Sequence, residues 1–91
     1  MQQQIPPQRQ RLRETRITKA IGYLKKLPMM SQPAASTYDL GRAAIHGERR
    51  GRWMPPSAVS SLGMAIGVEL LRRGRVMVTR QNAFTLLPVS S

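Results

Sequence analysis

The chain has 91 residues, enough for one domain around one modest core, because chains of this size bury only about two-thirds of their unfolded surface. Fifteen Lys and Arg against four acids give a formal charge of +11, a self-repulsion that an anionic partner would relieve. Cysteine is absent, which excludes disulfides, thiolate metal sites and thiol nucleophiles and fits a reducing compartment.

Residues 1–10 combine a run of three consecutive Gln, a Pro pair and the first Arg, a composition expected to form a flexible basic and polar arm. No secretory signal is read there, since the single Ile5 is followed by prolines and charges rather than an apolar run. The domain proper is expected over residues 11–88, with 89–91 as a disordered tail. Over residues 16–27, Ile17, Ala20, Ile21, Leu24 and Leu27 recur at helical spacing and predict a helix with one buried stripe, stopped by Pro28, with Leu12 offering an extension backwards by a turn. Residues 29–35 read as a loop. Ser36 and Asp39 have the spacing of a capping box and start a second, short helix over 37–45, with Leu40 and Ala44 inward and Gly47 at its end. The segment HGERRGRW, residues 46–53, holds two Gly and three Arg before Trp53; it reads either as a solvated linker or as a loop that approaches a phosphate backbone. Trp53 follows Arg49, Arg50 and Arg52 and could stack a base beside them, but it is expected rather to plug the core, because the chain has only four aromatic residues and needs the volume.

Pro55-Pro56-Ser57 opens a third helix. Val59, Leu62, Ile66 and Leu70 form its buried side, and Gly74 supplies the stop. Gly63 and Gly67 within it predict close contact with another backbone. The uncharged stretch 53–68 is too short and too interrupted by Pro and Ser for a membrane span. After Gly74 the period changes to two: residues 75–80 and 83–87 are read as the strands of a hairpin turning at Gln81-Asn82.

Three helices followed by a hairpin, with ELLRRGRVMV running from the third helix straight into the first strand, resemble a winged helix-turn-helix domain. The expected fold class is therefore α+β, a three-helix winged helix-turn-helix with a C-terminal β-hairpin wing. In that resemblance TYDLGRAAI is the second helix, PPSAVSSLGMAIGVELLRRG the recognition helix and RVMVTRQNAFTLLP the wing. The resemblance implies that the third helix enters a major groove and that the hairpin tip lies on neighbouring backbone. The groove face would be Ser57, Ala58, Ser60, Ser61 and Met64, a face short of the Arg, Asn and Gln that make bidentate base contacts.

The function expected from these readings is DNA binding, and transcriptional regulation in particular. Twelve of the fifteen basic residues are Arg, whose planar fork suits phosphate and guanine better than Lys does. The candidate contacts are Arg42, Arg49, Arg50, Arg52, Arg72, Arg73, Arg75 and Arg80, with Ser57, Ser60, Ser61 and Asn82. Arg72, Arg73 and Arg75 read more readily as cations settled on a helix C-terminus than as a phosphate clamp beside the wing. Such a protein would need no cofactor and no small-molecule substrate, would work in the cytoplasm or nucleoid away from membranes, and would dimerise to read two half-sites. RNA binding as a ribosome-associated component, and a basic module that docks on and regulates another protein, remain alternatives. Catalysis is not expected: His46 and Glu48 stand without a second histidine, cysteine or carboxylate cluster, and no phosphate-loop, dinucleotide, zinc or nucleophile-elbow pattern occurs.

Overall fold

A computed structural model describes residues 7–27 and 34–88. The order of elements is α1 (Pro7–Lys26), α2 (Thr37–Ala44), a 3-10 turn (Arg50–Trp53), α3 (Pro56–Arg72), β1 (Val76–Val78) and β2 (Phe84–Leu86). The fold is α+β, three helices followed by a two-stranded antiparallel hairpin.

Helix α1 begins at Pro7, well ahead of the expected start at residue 16. Pro suits the first helical position, and the Gln, Arg, Leu and Glu that follow are strong helix formers. Residues 7–10 of the expected arm are thus helical, while residues 1–6 and the tail 89–91 lie outside the described residues. The buried stripe is the expected one, with Ile17, Ala20 and Leu24 inward. Helix α2 starts with both halves of its capping box formed: Ser36 Oγ accepts from the Asp39 amide at 3.1 Å, and Asp39 Oδ2 accepts from the Ser36 amide at 3.3 Å.

Helices α2 and α3 pack at backbone distance. A Cβ on Gly41 would collide with the Val59 carbonyl, and one on Gly63 with the Thr37 carbonyl. The two contacts run in opposite directions along the chain, so the helices are antiparallel and the end of α2 lies beside the start of α3. Gly67 lies under the Phe84 ring, which brings β2 onto α3. The glycines that cost helix stability in isolation therefore permit the closest packing in the fold.

The core is one cluster built around Ile17, Leu24, Leu40, Ile66, Leu70, Val76 and Phe84. Gly74 at φ +70° ends α3 and turns the chain into β1. Val76 pairs with Leu86, Met77 with Thr85 and Val78 with Phe84. The hairpin loop is one residue longer than the expected Gln81-Asn82 turn. Asn82 donates to the Thr79 carbonyl at 3.0 Å, Thr79 donates to the Ala83 carbonyl at 2.8 Å, and Asn82 takes a left-handed φ of 59°, the pattern of a three-residue loop. Ala35 exchanges two backbone hydrogen bonds with Phe84, at 2.9 and 2.8 Å, and so ties the segment before α2 to the hairpin.

Trp53 is not in the core. It is 85 % exposed, and the one aromatic side chain buried in the core is Phe84, whose ring packs on Gly67.

Candidate nucleic-acid interface

The segment between α2 and α3 is held in place by two side chains of α1 and by close packing on Ile45. Arg16 on α1 grips Glu48 through both guanidinium edges, Nε to Oε2 at 2.9 Å and the terminal nitrogen to Oε1 at 2.8 Å. Lys19 donates to the His46 carbonyl at 2.7 Å. Gly51 backs onto Ile45 so closely that a Cβ there would lie 2.8 Å from the Ile45 Cβ. Gly47, at φ +84°, makes the reversal that brings the segment back toward α3. The Arg16 guanidinium holds the Glu48 carboxyl below its ordinary range, with Glu48 raising Arg16 in turn. Both acidic and basic side chains of this anchor are spent on it.

What the anchored segment presents outward is basic. Arg49, Arg50 and Arg52 are exposed, and Arg42 joins them from the last turn of α2. Among the described residues none of these four makes an ion pair, and neither does Arg80 at the hairpin tip. Arg42, Arg49 and Arg52 border an open cleft shared with Tyr23, Tyr38 and Asp39. Asp39 is already engaged in the α2 capping box. The start of α3 beside this cluster carries no side-chain cap and no acid in its first turn, so its positive dipole end adds to the arginines.

The remaining candidates divide. Ser57 and Ser61 are exposed on the first half of α3, and Ser60 is half-buried. The outer face of the second half is apolar: Met64, Val68 and Leu71 are 48 %, 53 % and 47 % exposed. Arg80 and Asn82 sit exposed at the hairpin tip. Arg72 and Arg73 lie at the far end of α3, about 25 Å from its start at 1.5 Å per residue over 17 residues. They are bound into a network rather than standing free. Buried Glu69 accepts from Arg72 at 2.7 Å, Arg73 at 2.7 Å and Arg13 at 3.1 Å, and Arg73 also reaches Glu14 at 2.7 Å. The bonds from Arg72 and Arg73 hold the Glu69 carboxyl down at about 2. Arg75 is half-buried, and its Nε has no partner among the described residues. The structure therefore brings Arg42, Arg49, Arg50, Arg52, Ser57 and Ser61 to one end of the molecule, and separates Arg72, Arg73 and Arg75 from them.

Sequence reasoning missed two features. Tyr23 and Tyr38 border the arginine cleft, and no local pattern links residues from α1 and α2. The apolar outer face of α3 was legible in part, because Val68 and Leu71 fall off the stripe set by Val59, Leu62, Ile66 and Leu70. No helix among the described residues is long and apolar enough to cross a membrane. No protein-family model matches the chain, and no curated protein or solved structure shows significant similarity to it.

Proposed function

We propose that the protein binds duplex DNA as a small winged-helix regulator, with the start of α3 directed at the major groove and the hairpin tip at flanking backbone. The observation that carries this reading is the set of arginines, Arg42, Arg49, Arg50 and Arg52, gathered at the exposed start of α3 with no ion pair among the described residues, while the neighbouring acids are engaged elsewhere, Glu48 by Arg16 and Asp39 by the α2 capping box. An arginine set kept clear of carboxylates is what phosphate contact requires. Arg80 would add a contact from the wing. Ser57 and Ser61 would face base edges, where a hydroxyl discriminates weakly, and Met64 would offer apolar contact to thymine methyls. Specificity would then rest largely on DNA shape, and a second copy would supply the affinity that one small interface lacks.

Fluorescence anisotropy against a 20-base-pair duplex, a library-selected duplex and a structured RNA, each over a salt series, tests the proposal. The R49A/R50A/R52A variant should lower the salt slope by about 2 to 3, since each lost phosphate contact removes about 0.9. A selected duplex should be preferred over random sequence by about 10³-fold. Equal affinity for every duplex with tighter binding to the RNA would move the protein to RNA recognition.

A further inference from the structure

The one tryptophan of the chain is spent on the surface. Trp53 is the largest apolar side chain available, in a protein whose core is built from residues as small as Ala20, Ala35 and Ala44. It is nevertheless 85 % exposed, at the end of a 3-10 turn that also carries Arg50 and Arg52, with Arg49 just before it. The turn is rigid. Arg52 donates to the Arg49 carbonyl and Met54 to the Gly51 carbonyl, each at 3.3 Å; Gly51 is pressed on Ile45, and Pro55 and Pro56 fix the exit into α3. The backbone under the indole is thus already ordered and only the two side-chain torsions remain to be fixed when it is covered, with most of its area open for contact. Three arginines within four residues of it, at and just before the same turn, select what can cover it. They repel cationic surfaces and draw in phosphates, and a base carried between phosphates has a flat face to lay on the indole. A base inside a duplex has that face occupied by its neighbours.

We infer that Trp53, flanked by Arg49, Arg50 and Arg52, is a stacking platform for an unpaired base, which gives this surface a single-stranded nucleic acid as ligand in addition to duplex. The inference rests on the nucleic-acid reading of the arginine cluster and adds to it that bases are contacted by their faces. The surface would therefore favour a site with a melted, overhanging or flipped nucleotide.

Trp53 is its own reporter, being the sole tryptophan. The full chain is titrated with a 20-nucleotide oligothymidylate and with a blunt 20-base-pair duplex, following both tryptophan emission and the anisotropy of a labelled strand. The expected result is saturable quenching by the single strand and none by the blunt duplex at equal occupancy. Trp53→Ala should weaken the single strand by about tenfold and change the duplex by less than twofold, with Trp53→Phe retaining most of the affinity. Unquenched emission at saturating single strand, or an equal loss on both ligands in Trp53→Ala, would overturn the inference while leaving the arginine reading intact. Quenching by anionic phosphatidylglycerol vesicles and not by the oligonucleotide would overturn it too, assigning the indole to a lipid surface. Loss of all polynucleotide binding, wild type included, would overturn both readings together.

Discussion

At the scale of single residues, the glycines divide into those that the fold cannot replace and one that it can. A methyl at position 63 would enter the Thr37 carbonyl, which belongs to the capped first turn of α2 and cannot move without opening it. Gly63→Ala should therefore destabilise by at least about 2 kcal/mol despite its better helix propensity. Gly22, inside α1, has nothing within 4 Å of its missing Cβ. Gly22→Ala should stabilise by about 0.5 to 1 kcal/mol, and thermal melts of the pair check the opposite signs. Asn82 is the one described non-glycine residue with positive φ; Asn82→Val should cost about 1 to 2 kcal/mol, whereas Asn82→Gly should be close to neutral. Gly63 and Asn82 were readable from the chain alone, since a glycine in an apolar helix and an Asn between two strands each have a specific conformational reason. Trp53 was not. Whether a large side chain is inside depends on whether another residue has filled the space, and the fit of Phe84 over Gly67 joins positions that no local pattern connects.

At the scale of elements, α1 and the end of α3 are joined by charge as well as by packing. Glu69 and Glu14 hold Arg13, Arg72 and Arg73, and Glu48 holds Arg16 between α1 and the segment before α3. All three carboxyls lie below their ordinary value of 4.5, Glu69 furthest, at about 2. A carboxyl whose folded value is depressed binds fewer protons in the folded state, so its stabilisation is complete above about pH 4.5 and is lost as the pH falls toward 2. Chemical denaturation between pH 7 and 2 should show stability falling over that window, and Glu69→Gln should flatten the fall while lowering stability at neutral pH. The same network explains why the arginines at the end of α3 were ambiguous in the chain. Their partner Glu69 sits three and four residues back and was within reach of a local reading, but Glu14 is 59 residues away from Arg73. Helix boundaries followed the same rule: the capping box at Ser36 and the stop at Gly74 were legible, and the early start of α1 was not, because a polar stretch of good helix formers gives no apolar period to read.

At the scale of the whole molecule, the acids are engaged and many of the bases are not. Glu14 and Glu69 are bound into the ion-pair network at the end of α3 distant from its start, Glu48 is held by Arg16 and Asp39 by the capping box, so Arg42, Arg49, Arg50 and Arg52 beside α2 and the 3-10 turn make no ion pair among the described residues. That arginine face is built by the antiparallel packing of α2 on α3 and by the anchoring of residues 46–53 onto α1. The expected order of helices and hairpin follows from hydrophobic period and turn chemistry, both written locally in the chain. The face follows from which arginines find acids, which only the folded arrangement decides. The most direct test of this account is a map of backbone amide chemical-shift changes in the full chain on titration with a 20-base-pair duplex at moderate salt. The account predicts that the largest changes fall on residues 42 and 49–52, on 57–61 at the start of α3 and on 80–82 at the hairpin tip. Changes centred instead on residues 69–75, with the 49–52 segment unmoved, would contradict it.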